Sequence, residues 1–79
     1  MPILVKLSTS LRRLVPDYDP LTGIEVEPRP DESAAGLMAR LGIPLEQVKV
    51  IMINGLAAGA DTILTDGDRV GLFPPVGGG

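Results

Sequence analysis

The chain has 79 residues, 44% of them apolar, with 10 acidic side chains against 7 basic ones, 10 glycines, 8 prolines, and no cysteine, histidine or tryptophan. Lacking thiol and imidazole, it has no disulfide framework, no zinc site of the usual Cys and His ligands, no thiolate nucleophile and no histidine base, so a self-sufficient enzyme is not expected. The length suits one domain; the net charge of −3 with scattered Lys and Arg argues against nucleic acid, the apolar stretches fall far short of the roughly 20 residues that span a bilayer, and a cytoplasmic location is expected.

Met1 to Ser8 reads as a strand, with Ile3, Val5 and Leu7 on one face and Leu4, Lys6 and Ser8 on the other. Thr9 to Leu14 follows as a short helical turn that buries Leu11 and Leu14 and points Arg12 and Arg13 to water. Val15-Pro16-Asp17-Tyr18-Asp19-Pro20 is rich in turn formers and is expected to be the loosest part of the fold. Alternation returns from Leu21 to Pro28, where Ile24 and Val26 lie between Gly23, Glu25 and Glu27, giving a second strand with a solvated acidic face.

Pro28 and Pro30 end that strand, and Asp31 or Ser33 can cap a helix. Ala34, Leu37, Met38 and Leu41 recur at i, i+3, i+4 and i+7, one buried helical stripe, and Gly42 with Pro44 beyond it stops the helix. Gly36 inside it is read as a tolerated imperfection. Val48 to Ile53 is nearly all apolar and β-branched, an interior strand. Asn54-Gly55 is a two-residue hairpin signal, and the return strand Leu56 to Ala60 is weak enough to sit at an edge. After the turn at Asp66-Gly67-Asp68, the last strand runs from Arg69 to Phe73, with Val70 and Leu72 inward and Gly71 and Phe73 outward. Asp61, Asp66 and Asp68 are read as turn and solubility residues, not as a cation site, because a hard-cation site needs about six oxygens.

Strands separated by one main helix predict an α+β fold, the helix lying across a mixed sheet of four to five strands. Pairing of the first and last strands in parallel at its centre would make it a ubiquitin-like β-grasp. The domain is expected over residues 1–73, followed by an extended, flexible tail over 74–79. There Pro74-Pro75 stiffen the exit and Gly77-Gly78-Gly79 finish it without side chains; fully extended, the six residues after Phe73 reach about 20 Å.

Asp66-Gly67-Asp68-Arg69-Val70, Phe73-Pro74-Pro75-Val76 and the terminal Gly78-Gly79 resemble the MoaD/ThiS group of ubiquitin-like sulfur carriers. The first strand, the Ser33-to-Gly42 helix and the Ile53-Asn54-Gly55 turn fit the same pattern, and Phe-Pro-Pro-Val is more like the MoaD branch, the molybdopterin synthase small subunit, than like ThiS. The resemblance implies that Gly79 is the working residue, preceded by Gly78. Its α-carboxylate would be adenylated with ATP by an E1-like enzyme of the MoeB/ThiF type, and a sulfur donor would displace AMP to leave a thiocarboxylate. The chain itself would bind no cofactor or metal. Phe73, Pro74, Pro75, Val76 and Gly77 match the segment that meets partners, among them a MoaE-like large subunit or another sulfur acceptor.

The sequence departs from that pattern at Leu11-Arg12-Arg13-Leu14, where relatives often carry Arg-Glu-Leu. It departs again at Gly77, where Ser, Thr or Ala is frequent, and in the small residues of Leu56 to Ala60. Two further readings of the same tail are a carrier for thiazole or cysteine synthesis and a ubiquitin-like modifier that forms isopeptide bonds. A β-grasp interaction module with an inert tail is the remaining one.

Overall fold

A computed structural model describes residues 1–75 of the chain. Its strands are β1 (Ile3–Leu7), β2 (Ile24–Val26), β3 (Val50–Ile53), β4 (Leu56–Ala58) and β5 (Arg69–Phe73), with one α-helix, α1 (Ala34–Leu41). Two 3₁₀ turns, Thr9–Leu14 and Leu45–Gln47, complete the order. The five strands form one sheet in the order β2-β1-β5-β3-β4. β1 and β5 pair in parallel near its centre, Val5 beside Val70 and Leu7 beside Leu72, and the other neighbours are antiparallel. This is the expected β-grasp arrangement.

The period-2 and period-3.6 patterns meet in one core. Ile3, Val5, Leu7, Ile51, Val70 and Leu72 from the sheet pack with Ala34, Leu37 and Met38 of α1, joined by Leu11, Ile43 and Leu64. Burial of these side chains is the main favourable term in so small a domain. Among the described residues no helix is long and apolar enough to cross a membrane.

Several elements are shorter than their apolar patterns, each for a visible reason. β2 begins only at Ile24 because Gly23 adopts φ +73°, and a Cβ there would lie 2.7 Å from the carbonyl oxygen of Val5. Only glycine permits that close crossing over β1. β3 begins at Val50 because Leu45–Gln47 winds into a 3₁₀ turn that the periodicity did not show, closed by the Val48 amide on Leu45 O.

β4 stops at Ala58 because the chain then leaves the sheet edge for the start of α1. Ala60 O accepts from Ala35 N at 2.8 Å and Thr62 O from Ala34 N at 2.9 Å, while the Ser33 hydroxyl accepts from Gly36 N at 3.1 Å. The first amides of a helix have no partner within it, and here they are satisfied by this loop and by Ser33, not Asp31. Ser33→Ala is expected to cost about 1 kcal/mol of unfolding free energy, measured by denaturant titration.

The segment after Leu14 corrects the sequence reading, which made it the loosest region. Tyr18 packs on the core, and its hydroxyl accepts from Leu7 N at 2.8 Å and lies 3.3 Å from Leu7 O. A single aromatic thus ties a Pro- and Asp-rich loop to the end of β1.

Candidate functional site

β5 ends at the surface, with Phe73 and Pro75 exposed. Among the described residues Phe73 is the last paired one, opposite Val50, and its carbonyl accepts from Lys49 N at 2.7 Å. Pro74 and Pro75 have no amide hydrogen, so the ladder cannot continue through them. Pro74 is half-buried and Pro75 exposed. Because β1 and β5 run parallel, this exit lies at the Leu7–Ser8 end of the sheet, opposite the end marked by Met1 and Asp66.

Strand parity decides what surrounds the exit. Val70 and Leu72 turn into the core, and Arg69, Gly71 and Phe73 turn to the other face. Phe73 is 39% exposed and Val50 40%. The Phe73 ring lies back over Gly71, where an added Cβ would meet ring carbons at 3.3 and 3.6 Å. Glycine here is a seat for the aromatic, and Met52, paired with Gly71 on β3, continues the apolar face. Phe73, expected to be outward, is outward; Val50 and Met52 beside it were missed, although the parity of β3 contained the signal.

A shallow notch of about 160 Å³ opens beside the ring, lined by Lys6, Ser8, Arg12, Tyr18, Gly71 and Phe73 among others. Lys6 Nζ donates to Leu21 O at 3.0 Å and Arg12 Nε to Leu7 O at 3.1 Å, so both cations are anchored at its wall. Arg12 is therefore more than a solvated side chain of the 3₁₀ turn. Of the residues singled out from the sequence, the structure brings Phe73, Pro74 and Pro75 to this corner. Val76, Gly77, Gly78 and Gly79 lie outside the described residues.

The turn leading into β5 is held by Asp68, only 9% exposed. Its carboxylate accepts from Asn54 Nδ2 and Thr65 N, each at 2.9 Å, and from the Thr65 hydroxyl at 3.3 Å, while Asn54 Oδ1 accepts from Arg69 N at 2.9 Å. Asn54 and Gly55 take φ +53° and +83°, the left-handed pair of a tight hairpin turn. Burial pushes the Asp68 carboxyl up, but the bonds from Thr65 and Asn54 outweigh it and hold it below the ordinary aspartate range. Asp68 is thus a buried clasp between two turns, which corrects its reading as a solubility residue; Asp61 and Asp66 are exposed. Among the described residues no three carboxylates gather as a metal cluster.

Comparison with known proteins agrees with this geometry. The model of the ThiS family matches residues 5–79. The chain belongs to the ThiS family. Its ubiquitin-like β-grasp fold is shared with SAMP1 from Haloferax volcanii, at 21% identity and a TM-score of 0.70 with all of both chains covered. Urm1 from Trypanosoma brucei is similar at 19% identity and a TM-score of 0.74, covering 99% of this chain and 95% of its own. A protein described as molybdopterin converting factor subunit 1, from Pyrococcus furiosus, reaches 26% identity and a TM-score of 0.72, with 96% of this chain and 99% of that one covered. No curated protein matches the chain.

Proposed function

We propose that this protein is a sulfur carrier working in the cytoplasm, whose Gly79 carboxylate is the reacting group. The observation that carries the reading is the match of the ThiS family through residue 79, on a fold whose last strand ends at the surface in Phe73-Pro74-Pro75. In the first step a carboxylate oxygen of Gly79 attacks the α-phosphorus of ATP on an E1-like partner and expels pyrophosphate. In the second, hydrogen sulfide from a donor adds to the acyl carbon, AMP leaves with the former carboxylate oxygen, and loss of the proton gives a thiocarboxylate with no change of oxidation state. A carboxylate is a poor electrophile until one oxygen becomes a leaving group, and a glycine carbonyl offers the least hindrance to attack. The carrier supplies the reacting carbon, and its partners supply ATP and catalysis.

The molybdopterin branch is the acceptor we favour, because Phe73-Pro74-Pro75-Val76 resembles MoaD and the Pyrococcus furiosus neighbour carries the corresponding description. A MoaE-like large subunit would then take the tail. A second reading, ubiquitin-like modification, is favoured by the structural likeness to small archaeal modifier protein 1 at a TM-score of 0.72. ATP–pyrophosphate exchange by an E1-like enzyme in the presence of the chain tests the activation step. Pulldown of a MoaE-like subunit supports the first branch, and higher-mass conjugates on denaturing gels support the second. Absence of exchange with any MoeB/ThiF-type activator would remove both.

Phe73 is assigned as a partner contact. Exposed aromatics seated in apolar surroundings are common binding anchors. Phe73→Ala should weaken binding to the activating enzyme about tenfold, by titration calorimetry, and leave the melting temperature nearly unchanged. Loss of folding instead would make it a core residue.

A further inference from the structure

The hairpin turn between β3 and β4 holds the chain's only asparagine, and a glycine follows it. That pair carries chemistry of its own. The backbone nitrogen of the residue after an asparagine can attack the side-chain carbonyl carbon and close a five-membered imide, and glycine, lacking a Cβ, hinders the attack least. Asn54 and Gly55 are both exposed, so water and base reach the turn. Among the described residues the Gly55 amide donates to no backbone carbonyl.

The clasp on the neighbouring turn holds this reaction back. Asn54 N donates to Arg69 O at 2.8 Å, Asn54 Oδ1 accepts from Arg69 N at 2.9 Å, and Asn54 Nδ2 donates to Asp68 Oδ1 at 2.9 Å. Both polar atoms on Cγ are therefore fixed against the turn before β5, and the backbone of Asn54 is held at φ +53°. Bringing Cγ onto the Gly55 nitrogen requires the side chain to leave Asp68 and Arg69, a local opening of the fold.

The product would not fit where the asparagine had been. Asp68 is only 9% exposed and is ionised at neutral pH, and the group facing its Oδ1 is the Nδ2 donor. A carboxylate at position 54 replaces that donor with an acceptor and sets two like charges across the span of a former hydrogen bond. Isoaspartate, the other product, also adds a methylene to the main chain of a two-residue turn and disturbs the register of β3 with β4.

We propose that Asn54 is a site of spontaneous deamidation gated by the Asp68 clasp, and that the change is one-way. When the clasp opens, the Gly55 nitrogen gives up its proton and bonds to Asn54 Cγ; the bond from Cγ to Nδ2 breaks, and ammonia leaves with a proton from solvent. One water then adds to the imide and opens it to aspartate or isoaspartate, with no change of oxidation state. The altered chain does not remake the clasp, which stands at the start of the strand that leads to the tail. None of this depends on the sulfur-carrier role.

Full-length protein incubated in mildly alkaline buffer made with heavy-oxygen water gives the measurement, by mass spectrometry of the peptide containing Asn54. Fragmentation separates aspartate from isoaspartate and keeps Asn54 apart from Asp66-Gly67, which can close the same imide without loss of ammonia. Folded wild type should deamidate at least about tenfold more slowly than the urea-unfolded chain. Asp68→Ala should speed the reaction about tenfold, whereas Ser33→Ala, which weakens the start of α1 without touching the turn, should stay within about twofold of wild type. Thermal melts establish that each variant is folded; if Asp68→Ala is not, Asp68→Asn carries the comparison. Asn54→Asp should melt below wild type, and adding Asp68→Asn to it, which again sets one amide against one carboxylate, should recover part of the loss. A folded chain that deamidates as fast as the unfolded one, or an unchanged rate in the Asp68 variants, would overturn the proposal. So would equal acceleration by Ser33→Ala, or an Asn54→Asp chain as stable as wild type.

Discussion

Asp68→Ala should lower the unfolding free energy by about 2–4 kcal/mol, a loss visible as a fall in melting temperature on the order of 10 °C or more for a domain this small. The loss comes from the partners left behind. Without the carboxylate, Asn54 Nδ2 and Thr65 N lose their acceptor, and Asn54 is freed from the position in which it takes the Arg69 amide. Asn is a poor replacement because both oxygens accept: an amide nitrogen at one position faces the Asn54 amide group, and at the other the Thr65 N–H. Asp68→Asn is therefore expected to cost about 1–2 kcal/mol.

The pH dependence carries a definite sign. The folded carboxyl lies below its ordinary value, so its contribution is fully present above the unfolded aspartate range, near about 4, and is lost as pH falls through the still lower folded value. Stability curves of wild type and Asp68→Ala should converge over that acid window and remain apart near pH 7. Parallel curves down to the acid limit would mean that Asp68 is not ionised in the clasp.

Deleting Gly78 and Gly79 should have the largest functional effect, a loss of at least about a thousandfold in ATP-dependent activation, with an unchanged melting curve. The two halves of this prediction have separate causes. Among the described residues the core is already built with Leu72 as its C-terminal member, and β5 pairs through Phe73, so folding is expected to proceed from these residues. The activation chemistry, by contrast, requires a carboxylate that reaches the partner's ATP and an acyl carbon free of side-chain hindrance. Ending the chain at Gly77 moves the carboxylate about 7 Å nearer the domain, far outside the sub-ångström tolerance of a positioned reaction. Activation retained within tenfold would show that the end of the chain is not the reacting centre.

The parts of the fold legible in the sequence were those where local pattern and tertiary demand coincide. The alternation of Ile3, Val5 and Leu7, the stripe Ala34, Leu37, Met38, the Asn54-Gly55 turn and the inward Val70 and Leu72 all appear as expected. What local pattern could not show is set by contacts far apart in the chain. Gly23 shortens β2 because it crosses Val5, Ala60 leaves the sheet for the amides of α1, and Tyr18 turns a loop of breakers into a fixed strap through Leu7. Asp68 is the clearest instance. Its position in an Asp-Gly-Asp turn suggests solvation, whereas its carboxylate bonds Thr65 of its own turn and reaches Asn54 of the hairpin turn, 14 positions away in the chain.

The candidate site divides in the same way. Phe73 and the prolines after it were identifiable from residue type and strand parity. The Lys6–Arg12 notch was not, because it joins the end of β1 to a 3₁₀ turn and becomes one surface only when β5 is laid beside β1. The absence of Cys and His, which leaves the chain without ordinary side-chain nucleophiles and bases, is no obstacle to a carrier whose sulfur would ride on a backbone carbon.

Intact-mass measurement of the full-length chain after incubation with an E1-like enzyme, ATP and a sulfide source addresses the carrier role itself. The predicted result is a mass gain equal to the difference between one sulfur and one oxygen atom, dependent on ATP and absent when Gly78 and Gly79 are removed. A chain whose mass is unchanged with every MoeB/ThiF-type activator, or whose gain persists without its last two glycines, would contradict it.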